Sequence, residues 1–315
     1  MARAFVFPGQ GSQAVGMGKA LADAFPQARA VLDEVDAALS QKLSGLMFEG
    51  PADELTLTAN AQPALMAVSL AAIRVLEAEA GLDLARDAAF VAGHSLGEYS
   101  ALAAAGTFSI ADAARLLRVR GDAMQNATPV GVGAMAALLG LELEAAAEVA
   151  REAAQGEVCD VANDNGGAQV VVSGHKAAVE RAVALAPAKG AKRAVMLTVS
   201  APFHCALMAP AAAAMREALA RVAMRAPAVP VVANVEAAPL TDPARIRDAL
   251  VRQVTATVRW RECVAAMAGQ GVDRFYEIGS GKVLTGLVKR IAAGATGTAL
   301  GMPADIAAFK AAVTS

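Results

Sequence analysis

A short glycine-rich motif around one serine restricts the fold of this chain more than any other feature. The motif reads G-H-S-L-G at residues 93–97, between an apolar stretch at 89–93 and a helical pattern at 96–105. It matches G-x-S-x-G, in which a serine stands on a sharp turn between a buried strand and a helix. This order predicts that the Ser95 hydroxyl projects from the edge of a sheet as a nucleophile. The alternative is a glycine-rich turn with an unreactive serine.

The chain on either side of a central segment alternates between predicted strands and predicted helices. Such alternation is typical of an α/β fold with a largely parallel sheet covered on both faces. The expected strands are 3–7, 89–93, 229–234 and 274–278, and the expected helices include 62–79, 96–105 and 283–292.

The central segment has a different pattern and predicts an inserted unit. Its order of strand, helix, strand, strand, helix and strand is that of a ferredoxin-like unit. We therefore expect a catalytic domain formed by residues 1–127 and 199–315, with an inserted subdomain at 128–198. The expected elements of the insert are strands at 132–139, 158–162, 169–173 and 193–199, and helices at 142–154 and 175–185.

A nucleophilic serine needs a general base, and the chain has only three histidines. His94 adjoins the serine on a tight turn, where neighbouring side chains point apart, and His175 opens a helix in the insert. His204 lies in a loop between a strand and a helix and follows the serine in sequence, which favours it as the base. The alternative is a loop histidine with a structural role. No carboxylate near His204 presents itself as its partner, although a backbone carbonyl would suffice to fix the tautomer.

The helix expected at 110–124 carries three arginines, and one of them faces inward. At about 100° per residue, Arg120 falls with Leu116 on the apolar side, while Arg115 and Arg118 face water. A buried guanidinium requires an anionic partner. That partner is either a distant carboxylate of this chain or the carboxylate of a ligand, and the sequence leaves both possibilities open.

Two glycine-rich loops invite comparison with nucleotide-binding loops, and neither matches. The loop at 7–13 would need glycine in place of Ala14, and the loop at 279–282 would need glycine in place of Tyr276. We therefore expect no nucleotide cofactor. In serine enzymes of this kind the loop after an early strand supplies an oxyanion-hole amide. The Gln10 amide is therefore a candidate, together with the amide of Leu96 that follows the serine.

Composition narrows the partners and the compartment. The 28 lysines and arginines nearly balance 30 aspartates and glutamates, so a net charge of −2 gives no general attraction to nucleic acid or membrane. We expect no stretch long and apolar enough to span a membrane. Cys159, Cys205 and Cys263 lie far apart and lack metal-ligand spacing, which argues against a disulfide framework or a zinc site and for a reducing cytoplasm.

Five motifs resemble those of the malonyl-CoA:acyl carrier protein transacylases. They occur in the same order and are spread over almost the whole chain. They are F-P-G-Q-G-S-Q at 7–13, G-H-S-L-G-E-Y at 93–99, Arg120, P-F-H at 202–204 and G-S-G-K-V-L at 279–284. The resemblance implies an α/β-hydrolase-like parallel-sheet core with a ferredoxin-like insert. It also implies transfer of malonyl from malonyl-CoA to the phosphopantetheine thiol of acyl carrier protein, for fatty acid biosynthesis.

The same resemblance implies a role for each matched residue. Ser95 carries the malonyl group as an ester, His204 is its base, and the backbone carbonyl of Gln253 orients that histidine. Arg120 binds the malonyl carboxylate, and the two loop amides named above form the oxyanion hole. The implied enzyme takes a coenzyme A thioester as its substrate. We expect it to bind no cofactor or metal and to act as a monomer.

The resemblance also implies an acidic carrier protein, which a basic surface would bind. Two clusters of basic residues are candidates for that surface, and the alternative for each is an ordinary solvated face. The clusters are Lys189, Lys192 and Arg193, and Lys282, Lys289 and Arg290.

Three competing functions share some of these residues. A malonyl transferase of a polyketide or malonate decarboxylase system would have the same residues and differ in its partner. A serine esterase or thioesterase is disfavoured by the absence of an evident acid and by the placement of Arg120. A non-catalytic binding module is disfavoured because nucleophile, base and arginine are all present.

Overall fold

The strands of the computed structural model, which describes residues 2–314, form two separate sheets. Six strands belong to the larger sheet and four to the smaller. In chain order they are β1 Ala2–Phe7, β2 Phe90–Gly93, β3 Gly133–Leu139, β4 Cys159–Asp164, β5 Gln169–His175, β6 Arg193–Met196, β7 Val231–Ala233, β8 Ala238–Leu240, β9 Val272–Ile278 and β10 Thr296–Leu300.

Helices fill most of the chain between the strands, and two short 3₁₀ helices lie at Ala186–Lys189 and Ala206–Met208. The α-helices are α1 Lys19–Ala24, α2 Pro26–Leu39, α3 Leu43–Glu49, α4 Ala52–Thr56, α5 Thr58–Ala80, α6 Leu84–Asp87, α7 Gly97–Ala104, α8 Ile110–Asn126, α9 Leu143–Ala154, α10 Lys176–Leu185, α11 Ala209–Ala220, α12 Pro243–Gln253, α13 Trp260–Gly269, α14 Val283–Ile291 and α15 Pro303–Thr314.

The larger sheet is parallel except at one edge. Its strand order is β10-β9-β1-β2-β7-β8, and only β8 pairs with its neighbour in the antiparallel sense. Residues 4–7 of β1 and all of β2 are buried, as expected for apolar runs covered on both faces. The register pairs Phe7 with Gly93, so the loops that follow β1 and β2 leave the sheet side by side.

The smaller sheet is antiparallel throughout, in the order β4-β5-β3-β6. Helices α9 and α10 pack on it around a separate hydrophobic core that includes Leu138, Val149, Val172 and Val179. The predicted fold class, an α/β fold with a parallel-sheet core and a separate antiparallel sheet, is confirmed. The division of the chain into domains at 128 and 198 stays a prediction.

The long helix α5 corrects one sequence-based expectation. Residues 58–80 form a helix that is long and apolar enough to span a membrane, so the prediction that no such stretch exists was wrong. Within its most apolar window, 94% of the residues are buried inside the protein. Helix α5 is therefore a core helix, and its apolar character is explained by contacts with the rest of the fold.

Helix α8 carries Arg120 and begins at a well-defined cap. The Ser109 hydroxyl accepts the Asp112 backbone N–H at 3.0 Å, which satisfies one of the free donors of the first turn. The predicted helix at 110–124 extends two residues further in the structure. Its buried face includes Leu116, Leu117 and Arg120, as the spacing predicted.

Candidate active site

The turn after β2 holds Ser95 in a strained backbone conformation. Ser95 has φ 54°, in the left-handed region that side chains other than glycine rarely adopt. A Cβ atom at Gly93 would lie 1.9 Å from the Gly97 carbonyl carbon, and one at Gly97 would lie 2.2 Å from the Phe7 carbonyl oxygen. Both glycines are therefore required where the turn crosses the end of β1.

A hydrogen-bonded chain of three groups links Ser95 to helix α12. The Ser95 Oγ lies 2.8 Å from His204 Nε2, and His204 Nδ1 lies 2.8 Å from the Gln253 backbone oxygen. A carbonyl oxygen can only accept, so Nδ1 carries the proton and Nε2 is left free to accept the serine proton. A backbone carbonyl thus takes the place of the carboxylate that many serine enzymes use.

The environment of His204 favours the neutral imidazole. Burial, and secondarily the positive charge of Arg120, lower the pKa of His204 to about 3. The Gln253 carbonyl acts in the opposite direction and raises it. His204 is therefore a free base at neutral pH, as a group that must accept a proton needs to be.

Arg120 is buried, with 1% of its surface exposed, and contacts only neutral acceptors. It donates to Gln62 Oε1 at 2.7 Å, to Gln253 Oε1 at 2.9 Å and to Ser95 Oγ at 3.1 Å. Within residues 2–314 no carboxylate lies within 4 Å of it. Of the two partners that the sequence left open, the direct internal ion pair is absent from the described structure.

Two backbone amides are available beside the serine. Gln10 and Leu96 both line the cavity around Ser95, and neither N–H donates to any atom of the described residues. The N–H of Ser95 itself is bound to Asn234 Oδ1 at 2.8 Å, so it is not free for a ligand. Among the described residues, both predicted oxyanion-hole amides are therefore without a backbone or side-chain acceptor beside the cavity, and their role stays a prediction.

These groups open into a cavity of about 330 Å³ between the two sheets. Ser95, His204 and Arg120 line it together with apolar side chains such as Met135 and Leu197. Such a cavity, apolar with a few convergent polar groups, is typical of a small-molecule site.

The other two histidines have structural contacts. The His94 ring lies against Trp260, and its Nε2 is 2.8 Å from Asn165 Oδ1 in the turn between β4 and β5. His175 lies in the smaller sheet, where its Nδ1 accepts the Val158 N–H at 2.9 Å. Neither ring lies within hydrogen-bond distance of Ser95 Oγ.

Three further side chains of the site were missed by the sequence analysis. Asn234 clamps the serine turn, because it accepts the Ser95 N–H and donates to the Gly93 carbonyl at 2.7 Å. Gln62 accepts an N–H of Arg120, and Glu98 accepts the Asn234 backbone N–H and a side-chain N–H of Gln253. One signal was present in the sequence, since each is an isolated polar residue in, or directly after, an apolar helix or strand.

Comparison with known protein families matches residues 4–301 to the family described as the acyl transferase domain. The chain belongs to the acyl transferase domain family. The family resemblance drawn from the motifs is confirmed, and so is the prediction that the chain is an acyltransferase.

Relatives of this acyl transferase domain match it over nearly their whole length. The malonyl CoA-acyl carrier protein transacylase of Escherichia coli strain K12 is 50% identical over 305 residues, which cover 97% of each chain. A crystal structure of acyl-carrier-protein-S-malonyltransferase from Bartonella henselae is 57% identical, with a TM-score of 0.97 and full coverage of both chains. A malonyl-transacylase solved in complex with a type II polyketide acyl-carrier protein is 44% identical, with a TM-score of 0.94 and 98% coverage of both.

Proposed function

We propose that this enzyme transfers a malonyl group from malonyl-CoA to the phosphopantetheine thiol of an acyl carrier protein. The observation that carries the proposal is Arg120, a buried guanidinium without a carboxylate partner, 3.1 Å from the hydroxyl of Ser95. A diacid thioester presents a carboxylate within reach of its reactive carbonyl. The names of the relatives support the same substrates.

The first half-reaction forms a malonyl ester on Ser95. As Oγ attacks the thioester carbon, its proton passes to His204 Nε2, and the carbonyl oxygen takes the negative charge between the amides of Gln10 and Leu96. When the tetrahedral intermediate collapses, the C–S bond breaks. The coenzyme A sulfur takes the proton from His204 and leaves as a thiol.

The second half-reaction reverses these steps with a different thiol. The phosphopantetheine thiol gives its proton to His204 as its sulfur attacks the ester carbon, and Ser95 Oγ leaves and regains that proton. The two steps are chemically alike, because the first exchanges a thioester for an oxygen ester and the second exchanges it back. The same base and the same two amides serve both.

Arg120 supplies the specificity for malonyl over acetyl groups. Its guanidinium fork can bind a carboxylate through two N–H groups, and an acetyl group leaves those donors without that partner. The test compares Arg120→Ala with wild type on malonyl-CoA and acetyl-CoA. We expect kcat/KM for malonyl transfer to fall at least about a hundredfold more than that for acetyl transfer.

A second arginine on the same helix provides a matched control. Arg118 donates to Asn60 and Gln41 on the outer part of the protein, away from Ser95. Arg118→Ala should leave the ratio of malonyl to acetyl transfer unchanged. An equal loss of both activities in Arg120→Ala would contradict the proposed carboxylate site.

For the carrier protein we propose docking at the cluster of Lys282, Lys289 and Arg290. All three are exposed, and within the described residues no carboxylate lies within 4 Å of any of them. In the other candidate cluster Lys189 is already paired, at 3.1 Å, with both Glu148 and Glu152. The first cluster therefore keeps more uncompensated positive charge for an acidic partner.

We infer that the enzyme serves fatty acid biosynthesis in the cytoplasm and acts as a monomer. Every group named in the reaction comes from one chain, and Cys159, Cys205 and Cys263 are buried free thiols, which suits a reducing compartment.

A polyketide pathway is the second candidate, because one relative was solved with a carrier protein of that class. Comparing kcat/KM for purified carrier proteins of both pathways separates the two. A higher value for a polyketide carrier would favour the second candidate.

A further inference from the structure

Glu98 is a buried carboxylate that the proposed reaction does not use. It stands in the first turn of α7, three residues after Ser95, and only 1% of its surface is exposed. Its Oε2 accepts the Asn234 backbone N–H at 3.0 Å and Gln253 Nε2 at 2.9 Å. Two N–H donors on one oxygen suit an ionised carboxylate.

The side chain of Gln253 connects this carboxylate to Arg120. Its Oε1 accepts from the Arg120 guanidinium at 2.9 Å, while its Nε2 donates to Glu98. The reversed amide would place donor against donor and acceptor against acceptor, so the two charges fix its orientation. Arginine, amide and glutamate form a continuous buried series, since all three side chains are at most 1% exposed.

The spacing between the charges has a chemical consequence. A buried guanidinium without any counter-charge is costly, so a carboxylate nearby stabilises the empty site. A carboxylate in direct contact would occupy the N–H groups that a substrate carboxylate needs. With one amide between the two charges, Glu98 offsets the charge of the guanidinium, and Gln253 Oε1 accepts only a single Arg120 N–H.

We infer that Glu98 is the counter-charge of Arg120, held one amide away by Gln253, and that it limits how tightly the site binds a substrate carboxylate. Glu98 is thus a positioning and specificity-determining residue, which acts through Gln253 and touches no substrate. The inference rests on the proposed function, because it assumes that Arg120 binds the malonyl carboxylate.

The first test removes the charge and keeps the shape. Glu98→Gln retains an oxygen that can accept both N–H groups. Binding of malonyl-CoA and acetyl-CoA is measured by calorimetry in the Ser95→Ala background, which cannot be acylated at that residue. Burial raises the pKa of Glu98 to about 7, so the measurement is made at about pH 8, where the carboxylate is mostly ionised.

Because malonyl-CoA and acetyl-CoA differ by one carboxylate, their ratio of Kd values reports the arginine site. We expect Glu98→Gln to raise the preference for malonyl-CoA at least about threefold, since an anion near the bound carboxylate is gone. An unchanged or reduced preference would overturn the inference.

Glu277 provides a matched control for the loss of a buried carboxylate. It is fully buried at the end of β9 and accepts the N–H groups of Leu284 and Thr285. Glu277→Gln should leave the malonyl preference unchanged whatever it does to stability. A similar rise in this variant would show that the effect is not specific to Glu98.

The second test removes the amide between the charges. In Gln253→Met the guanidinium loses an acceptor and can approach Glu98 directly, so we expect malonyl-CoA binding to weaken by about tenfold or more. Adding Glu98→Gln to Gln253→Met should increase the affinity for malonyl-CoA by a larger factor than Glu98→Gln does when Gln253 is present. Strictly additive effects would contradict a role for the amide.

Arg120→Ala separates the failure of this inference from failure of the proposed function. If that variant keeps the malonyl preference, the carboxylate site itself is misplaced and both proposals fail. If it loses the preference while Glu98→Gln changes nothing, only the role of Glu98 fails.

Discussion

At the scale of single residues, the general base His204 is unusual because a peptide carbonyl, and not a carboxylate, orients its ring. An aspartate in that position would stabilise the imidazolium that forms during proton transfer, and a neutral carbonyl does so less. Arg120 also lies close enough to disfavour a second positive charge on His204. A thiol is a good leaving group, so a weakly basic imidazole suffices for exchange between thioester and ester.

The position of Arg120 predicts a measurable shift in the His204 titration. Removing the guanidinium removes a like charge beside the imidazole, so Arg120→Ala should raise the pKa of His204 by about one unit or more. The pKa of His204 in this variant should still stay below 6.5, because burial lowers it more than Arg120 does. The acid limb of activity should move toward neutral pH accordingly.

Nuclear magnetic resonance of ring-labelled histidine can follow this titration, because the chain has only three histidines. A His204 pKa that is the same in both proteins would contradict the electrostatic coupling.

How far the sequence predicts the site differs between residues. A turn motif pointed to Ser95, and the small number of histidines pointed to His204. Helical spacing predicted only that Arg120 faces inward, and its place beside Ser95 was implied by the family resemblance. The backbone carbonyl of Gln253 has no signature of its own and was placed by resemblance alone. The contacts of Glu98 depend on distant parts of the chain, which no local pattern reveals.

At the scale of the elements, the turn between β2 and α7 depends on the absence of two side chains. The end of β1 passes so close to Gly97 that even a methyl group would overlap the Phe7 carbonyl. The turn, the strand end and the loop that carries Gln10 are therefore one packed unit. A change at either glycine should affect both folding and the oxyanion amides.

Gly97→Ala tests this packing. We expect it to lower the free energy of unfolding by about 3 kcal/mol or more and to slow acylation of Ser95, because backbone must move to make room. The matched control is Gly286→Ala in the middle of α14, where a Cβ would meet nothing within 4 Å. That change should stabilise the protein by about 0.5–1 kcal/mol.

Urea unfolding measures both effects. If Gly97→Ala proves no more destabilising than Gly286→Ala, the close packing of Gly97 against the Phe7 carbonyl does not stabilise the turn.

Among the elements, buried strands and several amphipathic helices were predicted, whereas the amphipathic helices α2 and α12 and the edge strands β8 and β10 were not. Buried strands such as β1 and β2 stand out as apolar runs, and the amphipathic helices of the insert stand out by their spacing. The short edge strands β8 and β10 have small or polar residues and are fixed by pairing with a neighbour, which is tertiary information. The start of α5 was predicted at Gln62, four residues after its first residue, Thr58, in the structure.

At the scale of the whole molecule, the smaller sheet is attached to the larger one beside the active site. Asn163 bridges to Val258, Asn165 contacts His94, and Asp164 pairs with Arg261 at 2.7 Å. The end of β4 is thereby fastened to the serine turn. This attachment defines one wall of the cavity that a phosphopantetheine arm must enter.

The proposed docking of the carrier protein at Lys282, Lys289 and Arg290 is a prediction about the surface of the molecule. Reversing charge in Lys289→Glu/Arg290→Glu should raise the KM for carrier protein by about tenfold and make it less sensitive to salt. Arg216→Glu, on an exposed face of α11, is the control for charge reversal elsewhere. If the double variant and the control give the same carrier-protein KM, docking does not involve this cluster.

The central claim is that Ser95 accepts a malonyl group while Arg120 binds its carboxylate. Mass spectrometry of the protein after brief exposure to malonyl-CoA tests it most directly, with peptide mapping of the added mass. We predict one malonyl group per chain on the peptide that contains Ser95, none in Ser95→Ala, and far less in Arg120→Ala at equal exposure. A malonyl group on any other residue, or full labelling of Ser95→Ala, would contradict the account.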